Sequence, residues 1–80
     1  MDHDRDIDAL GLLCPLPVLK ARKALAGMAA GSVLRLRASD AMSWIDVPHF
    51  CAEAGHVLLS ADDAAGVKTY LIRKADSQIA

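Results

Sequence analysis

Cys14 is the residue of this chain best suited to react. It stands in the run Cys14-Pro15-Leu16-Pro17. Proline is tolerated in the first turn of a helix, because its missing N–H would have no partner within the helix. With Pro15 at the first helical position, Cys14 becomes the N-cap. Its sulfur would then lie beside unpaired backbone N–H groups and the positive end of the helix dipole, both of which favour thiolate over thiol. The prolines remove the donors at positions 15 and 17, leave those at Leu16 and Val18, and stiffen the entry of the chain. A disulfide oxidoreductase would need a second cysteine at position 17, which is proline. With no resolving thiol close in sequence, a sulfur attached to Cys14 as a persulfide would not be expelled at once by a neighbour. Thiol–persulfide exchange needs little beyond a thiolate and access, and no catalytic base is evident from the sequence. The inert alternative is a cysteine buried as a small hydrophobe, which the preceding Leu12 and Leu13 favour. Local chemistry alone leaves both open.

Other reactive residue types give weaker patterns. Cys51 falls on an apolar stripe between Phe50 and Ala54 and reads as buried filler. Pairing with Cys14 would require their Cα atoms to lie within about 7 Å. His49, Cys51 and His56 match no zinc spacing, and a two-residue step on a helix splays its side chains apart. No metal site and no cofactor are expected. His3 falls in a polar terminus, and Trp44, the sole tryptophan, reads as a cap on the edge of the core.

The elements that must position Cys14 can be read from hydrophobic periodicity. Asp6 to Leu10 alternates as a short strand, punctuated by Gly11. In the helix that follows, Val18, Ala21, Leu25 and Met28 mark the buried face, with Leu16, Leu19, Lys20 and Lys23 on the outer side. Gly27 and Gly31 bracket its end. Ser32 to Ala38 is the clearest strand: Leu34, Leu36 and Ala38 point one way, and Val33, Arg35 and Arg37 the other. The two arginines are read as keeping a wet face soluble. A second helix covers Ser43 to Ala54. Ser43 and Asp46 have capping-box spacing, although Pro48 argues for a later start with Asp46 as N-cap. Val47, Phe50, Cys51 and Ala54 form its apolar stripe, and Gly55 its stop. His56 to Ala61 and Val67 to Lys74 read as strands, with Asp62–Gly66 as the turn of a β-hairpin. Residues 1–5 and 76–80 are expected to be disordered. The order βαβαββ predicts an α/β two-layer sandwich, with two helices on one face of a four-stranded mixed sheet.

Composition bounds the function. Eighty residues make a single domain spanning 1–80. Nine Lys and Arg against ten Asp and Glu give a net charge of −1, unlike the basic excess of a general nucleic-acid binder. Aromatics are only 4%, so the core is expected to rest on Leu, Val, Ile, Ala and Met. No apolar run is long enough to span a membrane, and the acidic start Met1–Asp6 is the opposite of a secretory signal. Two cysteines make no disulfide scaffold, which points to a reducing cytoplasm.

The run from Ala9 to Leu25 around Cys14-Pro15-Leu16-Pro17 closely resembles the opening of the TusA/SirA family of sulfur carrier proteins, whose hallmark is Cys-Pro-x-Pro at the start of the first helix. Asp46-Val47-Pro48-His49-Phe50-Cys51, then Gly55-His56, is similar to the family's second helix and third strand. Tyr70-Leu71-Ile72-Arg73-Lys74 resembles its last strand. The resemblance covers residues 6 to 75 and implies a function. Cys14 would accept sulfane sulfur as a persulfide from a donor protein such as a cysteine desulfurase or a rhodanese. It would pass that sulfur to an acceptor protein serving tRNA 2-thiouridine formation, sulfur oxidation or cofactor sulfuration, or handle selenium. Pro15 and Pro17 match the motif prolines. Positions 13 and 16, often Arg and Glu in the tRNA-thiolation branch, are leucines here, giving the sulfur site a more apolar rim. Leu16, Leu19, Lys20 and Lys23 form a candidate docking patch; alternatively the leucines pack under the N-terminal segment and the lysines are simply solvated. Two other functions remain in view. One is a small RNA-binding or regulatory module of similar two-layer fold. The other is a thiol redox protein pairing Cys14 with Cys51.

Overall fold

The computed structural model describes residues 3–75. Its elements are β1 (Arg5–Ala9), α1 (Leu16–Ala26), β2 (Val33–Ala38), α2 (Ser43–Ala54), β3 (Val57–Ala64) and β4 (Val67–Arg73). The strands form one sheet in the order β1-β2-β4-β3. β1 and β2 run parallel, and the other pairs are antiparallel. This is the mixed sheet and the α/β two-layer order expected from the sequence.

The alternation in β2 decides which face the helices cover. Leu34, Leu36 and Ala38 are fully buried, and their partners in β4 continue the same surface: Leu34 is opposite Ile72 and Leu36 opposite Tyr70. Ala21, Ala24 and Leu25 of α1 lie over this surface beside Val47, Phe50 and Cys51 of α2. Alanines at the contact let α1 approach the sheet closely. The largest fully buried side chain is Tyr70, and Met28 is only partly buried, so the core depends on an aromatic more than composition suggested. The Tyr70 hydroxyl is satisfied by Ser43 Oγ at 2.7 Å, and the Ser43 hydroxyl also donates to the Asp40 carbonyl at 2.8 Å. On the open face Arg35 clasps Asp6 through Nε and Nη2 at 3.0 and 2.8 Å, and Arg37 reaches Asp6 and Asp8 at 3.8 Å.

Several boundaries differ from the sequence reading. The expected disorder over 1–5 does not hold for Asp4 and Arg5. Asp4 bridges Val33 through its N–H at 2.7 Å and its carboxylate at 2.8 Å, and Arg5 begins β1. The expectations for 1–2 and 76–80 lie outside the described residues. Ser43 and Asp46 form no capping box. Met42 is the N-cap of α2, Ser43 turns inward to Tyr70, and Asp46 is engaged elsewhere. Ala54, expected on the apolar stripe of α2, is exposed. β3 continues through Asp62 and Asp63, where the sequence predicts a turn. Its exposed edge tolerates both acids, and Asp63 pairs with Lys68 of β4 at 3.4 Å. The hairpin turn is only Ala65-Gly66, both at positive φ (53° and 81°), the two-residue geometry that suits the twist of paired strands.

Two clasps fix the ends of the helices. Lys74 Nζ donates to the carbonyls of Leu25 and Met28 at 2.5 and 3.1 Å, satisfying acceptors at the end of α1. His56 Nδ1 accepts the Ala75 N–H at 2.9 Å, and its ring lies 5.5 Å from that of Phe50. Burial, aided by the charges of Lys74 and Arg22, pulls the His56 pKa below its ordinary value.

Two outcomes follow from these contacts. Ser43→Ala leaves the buried Tyr70 hydroxyl without its partner and should cost about 1–3 kcal/mol in urea denaturation, with Tyr70→Phe costing less in that background than in the parent. The stability contributed by neutral His56 is present above its unfolded pKa of about 6.5. Because the unfolded chain takes up the proton first as pH falls, that stability is lost progressively below this pH. The urea midpoint should fall more steeply on acidification in the parent than in His56→Gln.

Candidate functional site

The β1–α1 and β2–α2 junctions lie at the same end of the sheet, because β1 and β2 run parallel. The first junction carries Cys14. The Leu10 N–H donates to Asp8 Oδ1 at 2.9 Å, the Gly11 N–H donates to Ser39 Oγ at 2.8 Å, and Gly11 takes a φ of 80°. The chain then passes the exposed Leu13 and a cis Cys14–Pro15 bond. A turn closes from the Leu16 N–H to the Leu13 carbonyl at 2.8 Å. Helix α1 therefore starts at Leu16, with Pro15 as its N-cap, one residue later than Cys14 as N-cap implied. Pro17 sits in the first turn, where a missing N–H costs nothing, and its ring is buried.

Cys14 is exposed, and the second junction supplies its polar partners. The Cys14 N–H donates to Asp40 Oδ2 at 2.5 Å, and its thiol donates to the carboxylate of Asp46 in the first turn of α2. The Asp46 hydrogen bond, some desolvation and the negative charges of Asp46 and Asp40 together push the Cys14 pKa up from its ordinary value. This corrects the expectation of a thiolate favoured by the helix N-terminus. The hydrogen-bond partner of the sulfur is the Asp46 carboxylate, and the Leu16 amide already donates to Leu13.

A cleft of about 260 Å³ opens beside the sulfur, between the two helices. Pro15, Val18 and Arg22 line it from the α1 side, and Asp46, His49, Phe50 and Glu53 from α2. The Arg22 guanidinium lies over the Phe50 ring, 5.0 Å from its centroid. His49 Nε2 is 3.6 Å from Glu53 across one turn of α2. The structure thus gathers Cys14 and Pro15 in the cleft but not Leu16, Leu19, Lys20 or Lys23. Those four are exposed on the outer side of α1, with Leu16 and Leu19 at 46% and 49% of full exposure, so the leucines do not pack under the N-terminal segment. Leu13 at 70% and Ile45 at 63% add apolar surface at the same end.

Cys51 is 2% exposed within the core, where burial pushes its thiol up to about 11. His49 and His56 are used by Glu53 and Ala75. Among the described residues no group of three or more metal-ligating side chains gathers, and no helix is long and apolar enough to cross a membrane. Sequence reasoning missed Asp40 and Asp46 as partners of Cys14 and Arg22 as part of the cleft wall. Asp46 was legible only as a cap, because its contact with Cys14 spans 32 residues.

The sequence and the fold have counterparts among known proteins. The family model described as Sulfurtransferase TusA matches residues 5–74. The sulfur carrier protein TusA of Pseudomonas entomophila is 44% identical over 72 residues, covering 90% of each chain. The protein of the same name from Allochromatium vinosum is 39% identical over 74 residues, covering 92% of this chain and 97% of its own. The crystal structure of a SirA-like protein from Desulfitobacterium hafniense superposes with a TM-score of 0.81 at 29% identity, covering 91% of this chain and all of that one. A match of this extent, over a fold with the expected order and an exposed cysteine in Cys-Pro-x-Pro, places the chain in the TusA family of sulfur carrier proteins.

Proposed function

We propose that this protein accepts sulfane sulfur from a donor protein as a persulfide on Cys14 and hands it to an acceptor protein. The observation that carries this reading is the pairing of an exposed Cys14, at the mouth of a cleft, with a Cys51 sealed in the core. A persulfide at that position is open to visiting proteins and faces no resolving thiol from within the chain. Pro15 and Pro17 hold the cysteine ahead of α1, one as N-cap and the other buried in the first turn. The chemistry is exchange between sulfurs, requires no bound cofactor, and has the character of a sulfurtransferase carrier step.

The exposed outer side of α1 favours docking through Leu16, Leu19, Lys20 and Lys23 beside the apolar rim that includes Leu13. A cysteine desulfurase or a rhodanese suits the donor role. Acceptors in tRNA 2-thiouridylation, sulfur oxidation or cofactor sulfuration suit the other side of the relay, in a reducing cytoplasm where the thiol persists. Neither direct RNA binding nor membrane contact is part of this reading. Arg35 and Arg37 are already engaged by Asp6 and Asp8.

Incubation with a cysteine desulfurase and cysteine should add about 32 Da per sulfur to Cys14, removable by reductant. Cys14→Ala should take up none, while Cys51→Ala should load like the parent; continued loading of Cys14→Ala overturns the proposal. For the docking patch, the double reversal Lys20→Glu with Lys23→Glu should slow loading from the protein donor by about tenfold and leave loading from a small-molecule persulfide unchanged. Unchanged loading from both would remove the lysines from the interface.

A further inference from the structure

Cys14 carries a hydrogen-bond partner at each of two atoms. Its Sγ donates to the Asp46 carboxylate, and its N–H donates to Asp40. The other charged groups lining the cleft are Arg22 from α1, and His49 and Glu53 from α2. Arg22 lies over the Phe50 ring, and His49 is matched with Glu53. Asp46 is thus the group in direct contact with the reacting sulfur, held on a helix whose first turn is anchored by Ser43 to the core.

We propose that Asp46 is the positioning residue for Cys14, fixing the sulfur at the cleft mouth and holding the proton on it until a sulfur donor engages. The role in transfer rests on the reading of Cys14 as the sulfur-bearing residue; the hold on the proton does not. A carboxylate beside a thiol favours the protonated form by charge and by accepting its hydrogen bond. The unloaded carrier is thereby kept less reactive toward adventitious electrophiles, since the thiolate is the attacking form. The same contact gives the departing proton an acceptor. In loading, Cys14 Sγ bonds to the terminal sulfur of a donor persulfide R–S–SH. The donor S–S bond breaks, and its electron pair leaves on R–S⁻. The Sγ proton passes by way of Asp46 to R–S⁻, so Cys14–SH and R–S–SH become Cys14–S–SH and R–SH with no net oxidation. Once loaded, Sγ has no proton to donate, and the contact with Asp46 is released.

The test is the pH dependence of Cys14 alkylation by iodoacetamide in the parent and in Asp46→Asn, which keeps the size of the side chain and removes its charge. The midpoint should move to lower pH in the variant, with alkylation several-fold faster at pH 7 and rates within about twofold of each other once both thiols are ionised. The pH profile for loading from glutathione persulfide should move in the same direction. In the unmodified protein, the Asp46 carboxyl carbon resonance should show an inflection at the Cys14 titration, a readout independent of how the variant folds. An unmoved midpoint without that inflection overturns the proposal, as does an equal gain in alkylation at every pH, which would mean simple unblocking. A moved midpoint with no loading of either protein supports the hold on the proton and overturns the persulfide reading.

Discussion

Parallel pairing of β1 with β2 is the constraint from which the site follows. Two parallel neighbours cannot be joined by a tight turn; the chain must return across the sheet, and α1 is that return. Both strands then end at the same edge, so the two strand-to-helix junctions come together there. Cys14 lies on one, and Asp40 and Asp46 flank the other. An antiparallel β1 would have sent the two junctions to opposite ends and left the sulfur without either carboxylate. Ligand sites at the carboxyl ends of parallel strands arise for the same topological reason in larger α/β proteins.

Around that edge the packing works outward from Tyr70. Its ring fills the centre of the helix-facing surface, and its hydroxyl reaches Ser43 at the start of α2. Ser43 in turn holds the Asp40 carbonyl, and the Asp40 carboxylate accepts the Cys14 N–H. A connected set of hydrogen bonds therefore runs from the core to the backbone of the reactive residue. The position of the cysteine is set by the fold's interior, although the sulfur itself is outside it. The paired charges on the opposite face, Arg35 with Asp6 above all, keep that half-exposed face from presenting bare cations.

Much of this was legible in the sequence where a physical period was strong. The alternation in Ser32–Ala38 and the helical spacing of Ala21 and Leu25 gave the strand, the helix and their buried faces. The Cys-Pro-x-Pro run located the reactive residue. What could not be read was contact between distant segments. Ser43 and Asp46 have the spacing of a local cap, yet each bonds across the molecule, one to Tyr70 and the other to Cys14. The thiolate expectation failed for that reason: local rules place amide donors near the sulfur, whereas the tertiary structure places carboxylates there. Asp62 and Asp63 misled in a simpler way, since acidic residues common in turns are equally at home on an exposed edge strand with Lys68 opposite.

The separation of the two thiols has a practical side. With Cys51 inside the core and Cys14 outside it, the chain has one address for a maleimide dye or spin label, and no cysteine need be engineered away. The sole tryptophan, Trp44, stands in the same first turn of α2 as Asp46 and is partly open to solvent. A fluorophore at position 14 and the native indole would make a built-in optical pair, reporting on whatever settles at that end of the sheet.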